Sequence, residues 1–441
     1  MLVYRVLVFC ATIVNCFGEE HDFQNDPYWF FDSKTAYSFV RGKDLNIPEN
    51  CQIQQIFMLC RHGTRNASKE DNKDMLQLIP LKNVIKNSDK LKATDIRAIR
   101  NWKNEANDDT DKDLHDQGRK DMKKLSSSIK EAFGDIFKET FNPDIHKVLT
   151  SHEVRARQSG YHFLKNAFGN KIHITSIDDL PMFDEDDVTL NIDKLRTDRI
   201  SKGDKKTGNV PKTEMTTFKK GPEMLATLER IGERIGLQSP IAFGRYQAKA
   251  MYESCRHDKA SRIRSIPAWC RVFAKKDLQV FEYLNDMNWY YKFGWGNAEG
   301  IRLGCPLLTR LNLSFKQAAN EEGARGVFYF GHRSNQFVAI TMLGLARDDV
   351  PLKADNMEMM AERKWKTSHL NPFAANTIAA FYKCKDNVDR VSFFVNEKIM
   401  PIELDDNSTC TVCLWKNVEK KFDRITADKR ECGFGRIITP P

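Results

Sequence analysis

An apolar run from Ile53 to Cys60 stops abruptly at Arg61-His62-Gly63-Thr64-Arg65, and this junction constrains the fold more than any other stretch. The run has the length of a buried β-strand, and it ends where two guanidinium groups flank an imidazole. Arginine presents a planar fork of donors matched to phosphate oxygens, and Gly63 lets the main chain approach a ligand without a Cβ. The motif therefore reads as an anion site that encloses a nucleophile. A second junction of the same kind lies far along the chain. Gly326 to Phe330 reads as a buried strand ending at Gly331-His332, with a helix from about Gln336 to Leu345 behind it. Two strands that each end in a glycine-adjacent histidine match the rule that α/β sheets hold their sites outside the carboxyl ends of strands.

The 441 residues, 41 % of them hydrophobic, allow a large single domain with an insertion or two domains. Residues 1–18 carry one cation, Arg5, before the apolar run Val6 to Val14, then reach Gly18 and the acidic Glu19-Glu20. This reads as a cleaved secretory signal, because the run is shorter than the roughly 20 residues a membrane span needs. The terminal Ile-Thr-Pro-Pro is no retention signal, so the expected destination is outside the cell or the secretory-pathway lumen. Cys10 and Cys16 leave with the signal, and nine cysteines remain. Cys60 is expected as the free thiol and the other eight as four disulfides, whose pairing is open apart from a local bridge between Cys255 and Cys270. Cys410 and Cys413 form a C-x-x-C without a second such pair, which favours a disulfide over a metal site. The net charge of +9, or +8 without Arg5, favours anionic ligands. The cations are scattered with no basic helix or aromatic-basic interleaving, which argues against nucleic acid.

Elsewhere, Met75 to Ile85 has helical patterning, and apolar residues from Asp113 to Phe137 recur at helical spacing, predicting one long amphipathic helix. Lys147 to Thr150 is β-like and leads into a helical run, Glu153 to Phe168. Arg155 falls in its first turn, where unpaired backbone N–H groups favour an anion, although a solvated surface arginine fits the spacing equally well. The stretch 179–221 carries acidic residues at 184–187 and cations at Lys202, Lys205, Lys206, Lys212, Lys219 and Lys220, and reads as a solvated loop or a basic rim over an anionic substrate. Residues 222–292 read as mostly helical, and Val391 to Val395 as a further strand.

Taken in order, Arg61-His62-Gly63-Thr64-Arg65, Arg155 and Gly331-His332 resemble the histidine acid phosphatases, specifically the multiple inositol polyphosphate phosphatases. Ser33-Lys34-Thr35-Ala36-Tyr37, Met251 to Arg256, Trp269-Cys270, Tyr290-Tyr291-Lys292, Cys305-Pro306-Leu307, Trp365 to Ser368, Pro372 to Asn376 and Asn396-Glu397-Lys398 extend the resemblance along nearly the whole mature chain. It implies an α/β fold in which a phosphatase domain is formed by both ends of the chain, 19–169 and 301–441, around an inserted, smaller α-helical domain, 170–300. It also implies a two-step phosphomonoester hydrolysis without cofactor or metal. His62 is then the nucleophile, and Arg61, Arg65, Arg155 and His332 bind the phosphate and spread the transition-state charge. A phosphorylated small molecule, an inositol polyphosphate, is the implied partner. No transmembrane span is expected, and the oligomeric state is not legible.

The chain departs from that pattern after the second histidine. The family places Glu two residues after it, as the acid that protonates the leaving oxygen; here the run is His332-Arg333-Ser334-Asn335. Ala156 and Ala67 also replace the family's usual Thr and Pro. Two readings follow: a secreted phosphatase, slow or using another acid, and a catalytically impaired phosphatase-like protein that binds an anionic or small-molecule ligand. Three glycosylation sequons begin at Asn66, Asn312 and Asn407, and Asn66, beside the site, is expected to be unmodified.

Overall fold

The computed structural model describes residues 30–85, 90–105, 108–183, 189–194, 196, 210–237, 244–297, 302–427 and 432. The expected signal segment and most of the charged stretch 184–209 lie outside these residues. Its centre is a mixed sheet of β1 (Cys51–Arg61), β2 (His146–Thr150), β3 (Gly326–Gly331), β4 (Asn376–Cys384), β5 (Arg390–Val395) and β6 (Lys398–Met400). The strand order is β2-β3-β1-β4-β5-β6. β1 and β2 both run parallel to β3, whereas β4 runs antiparallel to β1 and β5 to β4.

The central strands are apolar on successive residues because both faces of the sheet are covered. Ile56, Met58, Phe328 and Phe330 face a core with Met122, Leu125, Ile129, Phe163 and Leu164. These last residues come from α4 (Asp116–Ala132) and α5 (Val154–Phe168), which follow α1 (Lys69–Leu76), α2 (Leu78–Val84) and α3 (Ala93–Arg100). The other face, with Phe57, Leu59, Val327 and Tyr329, joins a larger core. Its helices are α6 (Val210–Lys220), α7 (Pro222–Arg234), α8 (Arg245–Ser261), α9 (Lys275–Phe293), α10 (Cys305–Ala319), α11 (Arg333–Met342) and α12 (Thr367–Leu370), with α13 (Trp415–Ala427) closing the chain.

Several boundaries differ from the sequence reading for local reasons. The helix expected over 113–137 starts at Asp116, where the His115 side chain accepts from the Gln117 N–H, and ends at Ala132, with a separate turn over Gly134–Phe137. The helix expected from Gln336 begins at Arg333, since Asn335 caps it by accepting from the His332 N–H at 2.8 Å. Residues 172–181 pack with the sheet: Ile172, Ile174 and Leu180 join the α4–α5 core, and the Thr150 N–H donates to the Pro181 carbonyl, whereas Phe183 joins the other core. In turn α1 packs on α8, so the helical layer also draws on chain that precedes the expected insert.

The disulfides are Cys51–Cys384, Cys255–Cys270, Cys305–Cys432 and Cys410–Cys413, and Cys60 is a buried thiol. Among the described residues no helix is long and apolar enough to cross a membrane.

Candidate active site

Register brings the two histidines together. Arg61 pairs with Gly331 at the end of the parallel β1–β3 ladder, so His62 and His332 are the next residues on adjacent strands. The His62 N–H donates to the Gly331 carbonyl at 3.0 Å, and the two rings lie 5.6 Å apart at 64°. His62 is 4 % exposed, and its Nδ1 lies 2.9 Å from the Gly63 carbonyl oxygen. A carbonyl only accepts, so Nδ1 carries the proton and Nε2 keeps a lone pair. Burial, followed by the charges of Arg61, Arg155, His332 and Arg65, holds the His62 pKa well below its ordinary value. A neutral, nucleophilic imidazole results. His332 is pushed down to about 3 by burial and then by Arg155, Arg61 and Arg333, while its Nε2 lies 3.0 Å from Ser151 Oγ at the end of β2.

The arginines surround these rings. One guanidinium nitrogen of Arg61 donates to the carbonyls of Ser33, Asn371 and Pro372, and the group stacks 4.8 Å from the Phe373 ring centre. Arg155, in the first turn of α5, donates to Glu153 at 2.7 Å and is not the solvated residue that its spacing equally allows: its side chain is only 12 % exposed. Arg65 donates to the Asn66 carbonyl and sits 3.7 Å from Asp71. The Nε atoms of Arg61 and Arg155 are buried without a hydrogen-bond partner among the described residues. Burial, then Arg333 and Arg65, drives the Arg61 pKa well down. Packed cations that depress one another, with donors left over, form a receptor for a polyvalent anion.

Gly63 serves the loop differently from the sequence expectation. A Cβ there would meet the backbone of Gly118 in α4, at 2.6 Å from its carbonyl oxygen and 2.8 Å from its Cα. The glycine thus admits a helix, not a ligand. Around it, Gly63 N–H donates to Ser159 Oγ, and Thr64 donates through its N–H and hydroxyl to Asp121 at 3.2 and 2.7 Å. None of Ser159, Asp121 or Gly118 carries a local motif that reveals this role.

All five residues expected at the site, Arg61, His62, Arg65, Arg155 and His332, are gathered by this geometry. The profile of the histidine phosphatase superfamily (branch 2) matches residues 52–396. The chain belongs to that superfamily. Among curated proteins it is 28 % identical over 422 residues to multiple inositol polyphosphate phosphatase 1 of Drosophila melanogaster, covering 91 % of this chain and 86 % of that one. It is 26 % identical over 440 residues to the Homo sapiens protein of the same name, covering 92 % and 89 %. These relatives support phosphatase activity. The fold matches the phytase from D. castellii with a TM-score of 0.74 at 17 % identity, over 93 % of this chain and 88 % of that one. It also matches the Bifidobacterium longum multiple inositol polyphosphate phosphatase in complex with inositol hexasulfate, with a TM-score of 0.59 at 16 % identity, over 91 % and 99 %.

Within this histidine phosphatase fold, the scattered segments that carry the resemblance acquire physical jobs. Ser33, Asn371 and Pro372 supply the carbonyls that grip Arg61. Tyr37 donates to Glu397 at 2.6 Å and accepts from Asn376, locking the N-terminal segment to β4 and the β5–β6 turn. Lys34 bonds Asp71 at 2.9 Å and Glu253 at 2.7 Å, and Arg256 bonds Glu253. Asp71, Glu253 and His257 bring metal-ligand atoms within 4.8 Å of one another, and the Lys34 ammonium lies bonded to both carboxylates as their counter-charge.

Arg333 is the cation that the sequence reading missed. It directly follows His332, stacks 4.2 Å over the Trp289 ring, and lies near enough to depress both Arg61 and His332. Behind it Ser334, 2 % exposed, donates to Asp193 at 2.8 Å. Further out, a cavity of about 280 Å³ is bordered by Lys219, Arg245, Lys249 and the Lys34-bound Glu253.

Proposed function

We propose that this protein hydrolyses phosphomonoesters of the inositol polyphosphate class through a phosphohistidine on His62, in the secretory lumen or outside the cell. The observation that carries the reading is the neutral His62, proton on Nδ1, set among cations whose Nε donors lack partners. In the first step Nε2 bonds to phosphorus as the ester P–O bond breaks, and the leaving oxygen takes a proton. Water then attacks the phosphohistidine, releasing inorganic phosphate and restoring the imidazole. Arg61, Arg65, Arg155 and His332, with Arg333, neutralise the equatorial oxygens. Lys219, Arg245 and Lys249 around the outer cavity, and the net charge of +9, suit a substrate with several phosphates.

A second reading rests on Ser334, which stands where the resembling family has its acid. On that reading the pocket binds anions and its turnover has decayed. Phosphate release from inositol hexakisphosphate by the wild-type protein, beside a His62→Ala control, separates the two. Release that needs His62 supports hydrolysis; tight calorimetric binding with no release favours the binding protein; neither binding nor release removes both.

A further inference from the structure

Arg61 is gripped by main-chain carbonyls, so it is only as well placed as the segments that carry them. Two of those carbonyls, Asn371 and Pro372, accept from Arg61 at 2.8 Å each and directly follow α12. That helix has four residues, too few to hold its shape alone. It is tied instead to α9. The Thr367 N–H donates to Asp286 Oδ1 at 2.8 Å, the Thr367 hydroxyl donates to the same oxygen, and the Ser368 hydroxyl donates to Glu282. Just before α12, Trp365 Nε1 donates to the Asp286 carbonyl at 3.2 Å.

Asp286 and Glu282 lie one turn apart on α9, are 0 % and 2 % exposed, and share a guanidinium. Arg363 donates to Asp286 at 2.7 Å and to Glu282 at 3.1 Å, and it stacks 5.1 Å from the Tyr283 ring centre. Among the described residues no other cation bonds either carboxylate. Lys366 faces them from further out, paired with the exposed Glu362 at 3.7 Å. The phenols of Tyr283 on α9 and Tyr252 on α8 also face the pair, and Tyr252 in turn meets Arg256, Glu253 and Asp32. Two buried carboxylates against one guanidinium leave an excess negative charge, which a dry site sheds by keeping a proton. Accordingly, burial and then Asp286 push the Glu282 pKa up to about 7, and burial raises that of Asp286.

We infer that Asp286 and Glu282 are positioning residues for the anion site: sharing one guanidinium and one retained proton, they latch residues 363–372 onto α9 and so fix Arg61 where it meets the anion. The assignment rests on the reading of Arg61 as an anion ligand. The latch depends on pH with a definite sign. The closed pair holds a proton that an opened pair releases, so its contribution is full below the ordinary Glu value of 4.5 and shrinks as pH rises to about 7. This is opposite in sign to the contribution of the depressed His62 and His332.

The test reads sulfate affinity by calorimetry, which needs no turnover. Asp286→Asn keeps the side-chain shape but loses the charge that Arg363 bonds, and is expected to weaken sulfate binding about tenfold at pH 6. In an Arg61→Ala background the same change costs less than about twofold, because Asp286 acts through Arg61. Thr367→Val, which removes one hydroxyl bond to Asp286, repeats the cycle with a smaller loss and decides it if Asp286→Asn does not fold. Glu282→Gln has no proton to release, so its affinity relative to the wild type rises by about threefold or more from pH 5 to pH 8, with the histidine contributions cancelling in the ratio. Equal losses in the two backgrounds, no loss in either, or a level ratio across that range overturn the assignment. A wild-type protein that binds no sulfate removes the anion site on which it rests. Sulfate binding without phosphate release from inositol hexakisphosphate removes the hydrolysis reading alone, and the cycle still decides the role of Asp286.

Discussion

Arg61 and Gly331 are register partners at the last step of a parallel ladder, and that pairing alone sets His62 beside His332 from opposite ends of the chain. The nucleophile is therefore positioned by strand hydrogen bonds, while its reactivity comes from the Nδ1–H bond to the Gly63 carbonyl. Replacing it tests the two separately. His62→Ala should reduce phosphate release by a factor on the order of 10³ or more, because the covalent step is lost. It should leave anion binding within about tenfold, because every arginine remains. Acid-labile label trapped on the wild type and absent from His62→Ala checks the intermediate. Undiminished release by the variant would place the nucleophile elsewhere.

The depressed histidines give anion binding a pH dependence of fixed sign. His62 and His332 have folded-state pKa values below the ordinary value near 6.5, that of His332 about 3. Between those limits the unfolded chain holds protons that the folded one does not, so the ligand-free protein loses stability as pH falls from about 6.5. A bound dianion favours the imidazolium form and takes up a proton. Sulfate, doubly charged across the range, should therefore bind more tightly as pH falls, by up to about tenfold per pH unit for each imidazole protonated in the complex. Calorimetry in buffers of different ionisation enthalpy should register the proton uptake. Sulfate affinity that is level from pH 7 to pH 5 would contradict this.

A glycine contact sets the position of the motif loop. A Cβ on Gly118 would strike Thr64 of the loop and the Leu114 side chain, whereas one on Gly134 has nothing within 4 Å. Gly118→Ala should cost about 1–3 kcal/mol, the usual penalty for overpacking against backbone, and should slow turnover by displacing His62. Gly134→Ala should stay within about 0.5 kcal/mol of the wild type. Urea midpoints for the two variants measure the difference, and equal midpoints would show that the loop yields freely.

The same contrast between local pattern and tertiary packing decides which elements are legible in the sequence. β1 and β3 were legible because burial on both faces demands an unbroken apolar run. β4 does not show as a strand in the sequence, since Ala379-Ala380 at its centre, adequate against neighbouring helices, carry no β signature. The sequence pattern starts α11 three residues late because Arg333, Ser334 and Asn335 are polar. They are held there by a ring stack, a carboxylate and a cap, and not by core packing. Arg61, His62 and Arg65 announced themselves through one local motif. Arg155 and His332 needed the resemblance or the strand-end rule. Arg333 has no signal of its own, because it enters the cluster only through what the folded chain brings next to it.

The three sequons are separated by burial. Asn312 is 4 % exposed and its Nδ2 donates to Asp423 on α13 at 2.7 Å, so a glycan there would break the α10–α13 contact. Asn66 is partly buried, and its N–H and side chain donate to Asp113 and Thr110 beside the site. Asn407 is exposed in a turn with φ of 64°, its side chain clear of any core. Protein made in a eukaryotic secretory host should accordingly carry its glycan at Asn407. Glycosidase treatment should shift the band once, and the shift should vanish in Asn407→Gln, with the Asn312 peptide unmodified by mass. A glycan found on Asn312 in active protein would mean that the C-terminal helix does not pack on α10 as described.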